Sequence, residues 1–133
     1  MAKRLRLEEF VRERNLIDSQ VKNFHLNRLS MIADVKPDTR SVAAFLDSLL
    51  FVGVADQFEV STNRLAELLR IYKMNPLMAG TAFENFNRDV FASLGARLEA
   101  RRVEVGDEFY RYLQNSNAED LELYELARSR LLA

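Results

Sequence analysis

Apolar positions recur along most of the chain at intervals of three and four residues, the spacing of one face of a helix. Nowhere do they alternate with the period of two that marks a strand. A first amphipathic helix is expected over Leu5–Ile17, with Leu7, Phe10, Val11 and Leu16 among charges. Asp18-Ser19 can cap a second, whose face is Val21, Phe24, Leu29 and Ile32 with Leu26 at its flank, and Pro37 ends it. From Pro37 to Phe51 the chain is apolar nearly all round, which predicts a central helix with Leu46 and Leu49 in the core. Gly53 offers a break, Val54–Phe58 a short helical turn, and Ser61 a cap for a helix over Thr62–Tyr72. Asn75-Pro76 repeats the start signal. A long stripe then follows through Phe83, Phe86, Val90, Phe91, Leu94 and Leu98, read as one helix over 80–104. Gly106-Asp107 separates it from a helix over 107–114, and Ser116 with Glu119 fits a capping box for a last helix over 117–132. The expectation is all-α: one domain over 1–133, a compact bundle of five to seven helices.

Composition narrows the picture. The 133 residues suit one domain, and 4 Gly with 2 Pro leave too few turns for a sandwich of short strands. Lys+Arg 19 against Asp+Glu 20 gives a net charge of -1, so no global basic field advertises nucleic acid. The charge is graded, from net +3 over residues 1–40 to net -4 over 103–133. That gradient fits either two solvated faces or head-to-tail pairing of copies. Glu8 and Glu9 follow the basic start before an apolar segment can form, so no secretory leader is expected and cytoplasm is the default. No apolar run approaches a membrane span.

Most catalytic chemistry lacks its residues. There is no cysteine, hence no thiol nucleophile, disulfide or thiolate metal site. His25 is the one imidazole, and without Glu-x-x-His the di-iron bundle arrangement has no ligands. A lone histidine on an amphipathic helix reads as a half-exposed structural residue. No Gly-x-Ser-x-Gly elbow, Walker A or Gly-x-Gly-x-x-Gly occurs. The carboxylate pairs Glu8/Glu9 and Glu119/Asp120 stand at helix starts, where the dipole favours negative charge. The chain is therefore not expected to be an enzyme or to hold a metal or cofactor.

One segment carries a motif. In Phe51–Arg70, FVGVADQFEVSTNRLAELLR, small Ala55 stands where two helices approach most closely. Val54 and Phe58 point inward, Val60 follows the turn, and Leu65 and Leu68 hold the second helix on the first. This resembles the helix-turn-helix of bacterial and phage DNA-binding proteins, with Glu59 where the turn usually carries glycine. The resemblance implies a second helix projecting into the major groove. Ser61, Thr62, Asn63, Arg64 and Glu67 would then face DNA, Asn63 suited to adenine and Arg64 to guanine, with Arg70 and Lys73 on phosphates. Read without the resemblance, the same residues make an ordinary αα-hairpin.

The aromatic stripe is core packing first, but a helix as long as 80–104 exceeds what a small monomer needs to cover. It predicts a homodimer through Phe83, Phe86, Phe91, Leu94 and Leu98. The expected function is a small dimeric DNA-binding regulator. The alternative is a helical protein–protein interaction module such as an assembly factor, adaptor or chaperone.

Overall fold

The helical periodicity is realised throughout the computed structural model, which describes residues 2–17, 21–73 and 93–133. Seven α-helices form among the described residues, with no strand: α1 Ala2–Ile17, α2 Phe24–Ala33, α3 Thr39–Ser48, α4 Phe58–Ile71, α5 Leu94–Val105, α6 Asp107–Ser116 and α7 Ala118–Leu132. The protein is an all-α helical bundle, and among the described residues no helix is long and apolar enough to cross a membrane.

Two clusters hold the bundle. In the first, Val42 and Leu46, one turn apart on α3, meet Leu26 of α2 and Leu123 of α7, with Leu29, Phe45 and Val52 packed around them. In the second, Val11 of α1 meets Val105 of α5 and Phe109 of α6. Phe109 stacks on Tyr112 with ring centroids 6.1 Å apart. Arg12 lays its guanidinium 4.2 Å from the Tyr112 ring centroid. Gly106 divides α5 from α6 at φ 87°, a conformation that side chains rarely adopt, so the break expected there follows from the residue type.

Four expectations are corrected. The third helix stops at Ser48, because Leu49 takes an extended ψ of 142°; Leu46 is buried as expected, but Leu49 is turned to the exterior. The second helix begins only at Phe24, after Asn23 in the left-handed region, and Ile32 is exposed rather than on its buried face. Asp18 and Ser19 lie outside the described residues. A single helix across 80–104 is not formed: Ser93 is extended, its hydroxyl accepts Ala96 N–H at 3.1 Å, and α5 starts at Leu94. Residues 80–92 of that expected helix lie outside the described residues. Finally, no capping box forms at α7. Ser116 Oγ donates back to the carbonyls of Tyr112 and Leu113 within the end of α6.

Candidate functional site

The segment expected to form a helix-turn-helix takes another shape. Residues 51–54 carry no regular structure, Ala55–Gln57 make one 3₁₀ turn, and α4 runs unbroken from Phe58 to Ile71. Glu59, placed in the expected turn, instead sits in the first turn of α4, where its charge complements the helix dipole and no glycine is needed. Ser61 is therefore neither a helix cap nor a DNA-facing residue. It lies inside α4 at 7% exposure, with its hydroxyl accepting Val54 N–H at 2.9 Å and donating to Val54 C=O at 3.1 Å. One side chain thus bonds both backbone groups of a buried residue, whose carbonyl also accepts Gln57 N–H at 3.0 Å from the 3₁₀ turn. The clamp brings chain against chain: a Cβ on Gly53 would lie 3.2 Å from the Phe51 ring and 3.3 Å from Ser61 Cβ.

The other residues of the expected reader are arranged along the same helix. Thr62 is half-buried and donates to Glu59 C=O at 3.0 Å. Asn63, Arg64, Glu67 and Arg70 are exposed on α4, Arg64 Nη1 standing 3.6 Å from Glu67. Lys73 follows the helix end at φ 56°. Of the expected dimer face, Leu94 and Leu98 are exposed on α5, while Phe83, Phe86 and Phe91 lie outside the described residues.

The connection from α3 to α4 is the wall between two concavities. On one side is a groove of about 370 Å³, floored by Leu49, Leu50 and Phe51 of the connection, Leu68 and Ile71 of α4 and Leu131 of α7. Leu50 and Ile71 are 66% and 72% exposed there, large apolar side chains left facing solvent. Ion pairs edge it, Arg130 with Asp47 and Arg64 with Glu67.

On the other side is a cavity of about 420 Å³ whose lining is mostly apolar, including Leu29, Val54 and Leu123. Its polar groups come from three separate elements. His25 and Asp120 join at the N-termini of α2 and α7: Asp120 Oδ2 accepts His25 N–H at 3.0 Å and meets His25 Nδ1 at 3.1 Å, while Oδ1 accepts Leu26 N–H at 2.7 Å. Tyr124, one turn further along α7, donates to Asp56 Oδ2 at 2.6 Å. Burial, then the bond and charge of Asp56, push the Tyr124 phenol up to about 12, so it stays a donor at neutral pH.

Sequence reasoning missed this cavity. In the sequence Asp120 reads as a helix-start carboxylate and His25 as a half-exposed structural residue, and 95 residues separate them. Neither spacing nor periodicity carries a signal for that encounter. Among the described residues, no group of three or more acidic or histidine side chains could hold a metal ion.

No described protein family matches the chain. No solved structure matches it either. An uncharacterized protein of Archaeoglobus fulgidus is 33% identical over 109 residues, which is 79% of this chain and 42% of the relative. The chain thus spans less than half the length of that relative.

Proposed function

We propose that the chain is a helical protein–protein interaction module whose groove between the α3–α4 connection, α4 and the end of α7 receives an amphipathic helix of another protein. The observation that carries this reading is the exposure of Leu50 and Ile71 across a concave, apolar floor. Large apolar side chains grouped in one concavity mark interaction sites, whereas scattered ones do not. The groove is bounded by charges of both signs, and an amphipathic helix offers the matching pattern of apolar residues one turn apart with charges beside them.

The test begins with a photo-crosslinker at position 50 in the cells that make the protein, followed by affinity measurement with the purified crosslinked protein. Ile71→Glu should weaken that complex at least about tenfold, the loss expected when a charge is placed in an apolar contact. Its melting should stay within about 0.5 kcal/mol of the parent, since the side chain faces solvent. Undiminished affinity would sink the groove as the interface.

The DNA-binding reading keeps one supporting observation, the exposure of Asn63, Arg64, Glu67 and Arg70 together on α4. It lacks the first helix that would set α4 into a groove of DNA. Gel shifts on mixed duplexes at about 50 mM salt, where phosphate contacts are strongest, decide it; no shift there removes the reading.

A further inference from the structure

We propose that the cavity between α2, the α3–α4 connection and α7 is a binding site for a small organic ammonium ion, an apolar body carrying one positive head. The proposal does not depend on the groove, with which the cavity shares only Leu46 and Val52. The cavity's walls are apolar enough to take a hydrocarbon or aromatic body: Leu29, Leu46, Val52, Leu123 and Ala127 line it. Its charge is one-sided. Asp56 and Asp120 both line it, and among the described residues neither Lys nor Arg does. Arg128, one turn beyond Tyr124, acts on the phenol more weakly than Asp56 does and pairs with Glu125 at 3.5 Å. Glu119, outside the lining, is bonded to Asn23 Nδ2 at 3.0 Å.

The two carboxylates play different parts. Asp120 spends its oxygens on the backbone N–H groups of His25 and Leu26 and on the imidazole, so it is committed to holding α2. Asp56 spends only Oδ2, on the Tyr124 phenol. Its Oδ1 and the lone pairs of the phenol oxygen are acceptors left over beside that bond, on two residues that both line the cavity, and the phenol proton is already given to Asp56. An ammonium N–H group matches two such acceptors, one of them charged, and the Tyr124 ring adds an aromatic face. A carboxylate or phosphate ligand would instead meet Asp56 and find no Lys or Arg among the described residues of the wall. An anion is excluded for that reason, and a neutral ligand would forgo the charged contact.

The experiment uses the full chain and three probes with one tail and different heads: n-hexylamine, n-hexanol and n-hexanoate. Backbone amide shifts of Gly53, Val54 and Leu123 are followed in NMR titrations. We expect hexylammonium to move these amides and to bind at least about tenfold tighter than hexanoate, with hexanol between them. Asp56→Asn keeps an acceptor for Tyr124 but removes the charge, so it should weaken hexylammonium about tenfold while leaving hexanol unchanged. Ala127→Leu fills the cavity from α7 without touching charge, and should abolish both. The site is overturned if hexanoate binds as tightly as hexylammonium, if none of the three moves these amides, or if Asp56→Asn leaves hexylammonium binding intact. An Asp56→Asn protein that loses its fold transfers the decision to Ala127→Leu, where retained hexylammonium binding overturns the proposal and its loss supports it.

Discussion

At the start of α3, Asp38 accepts the N–H of Ser41 at 2.8 Å and its hydroxyl at 3.1 Å, a complete cap within one turn of chain. At the start of α2, Asn23 stands in the same place, yet in the left-handed region and with no side-chain bond to its own helix. The N–H groups of His25 and Leu26 go to Asp120 instead. In return Asn23 Oδ1 accepts Asp120 N–H at 3.3 Å, and Asn117 Oδ1 accepts Asn23 N–H at 2.9 Å. The two helices pack into one core through Leu26 and Val42, but α3 can be capped before the protein folds and α2 only after α7 has docked. The first turn of α2 is therefore a tertiary contact, and its stability belongs to the α2–α7 joint.

Removing each cap is the sharpest way to break that contrast. Asp120→Ala strands the N–H of Leu26, a residue 1% exposed, and takes away a carboxylate that is itself mostly buried. A buried donor left unsatisfied costs about 1–3 kcal/mol, and bonds to a charged acceptor stand at the upper end, so we expect a loss of about 2–3 kcal/mol in urea unfolding. Asp38→Ala should cost clearly less, because its cap is local and faces solvent. Equal losses for the two would erase the distinction between a local start and a borrowed one.

The Asp38 cap has a pH signature. Its bond from the Ser41 N–H, then that from the Ser41 hydroxyl, holds its carboxyl below the ordinary 3.8. Because the folded value is the lower one, the stability it contributes is full above pH 3.8 and is lost as pH falls through the folded value. The gap between the parent and Asp38→Ala should therefore close in acid, and a gap that persists unchanged there would mean the charge is not what caps α3.

Tyr124 titrates at the opposite end of the scale. Its folded pKa of about 12 stands above the ordinary 10.0, so the folded state holds its proton longer than the unfolded one. The stabilisation is complete below pH 10 and disappears as pH rises toward 12. Tyr124→Phe should cost about 0.5–1 kcal/mol at neutral pH, the net worth of one hydrogen bond, and should flatten the alkaline loss between those values. An alkaline loss as steep in Tyr124→Phe as in the parent would assign it to other groups.

These effects also explain what was legible in the chain. The all-α class, the break at Gly106 and the last helix depend on periodicity and residue type within a few positions, and those are written locally. The start of α2 was not legible, because its cap comes from Asp120 across the bundle. Ser61 is the clearest case. A serine before an apolar run fits a helix cap, but the N–H of buried Val54 lies ahead of the 3₁₀ turn, and the same hydroxyl accepts it from within α4. That demand arises only once the connection has folded onto α4. For the same reason the groove and the cavity, which are the two sides of that connection, leave no motif.

The smallest stability effect belongs to Arg64, and it separates the readings of α4 most cleanly. Its side chain is 51% exposed and 3.6 Å from a Glu67 that is 60% exposed, a loose i, i+3 pair worth about 0.2–0.5 kcal/mol at most after screening by solvent. Arg64→Ala should therefore melt with the parent. If Arg64 borders the groove that takes a partner helix, its removal weakens that complex modestly, and Ile71→Glu, in the floor of the same groove, weakens it far more. If α4 reads DNA, the order reverses: losing a guanidinium from a guanine edge costs about 1–3 kcal/mol of specific affinity, whereas the apolar Ile71 offers a base edge little. Comparing Arg64→Ala and Ile71→Glu on one helical partner and on one duplex therefore distinguishes the two by rank order, a readout insensitive to the absolute affinity of either. Greater harm from Arg64→Ala than from Ile71→Glu in both assays would contradict the groove.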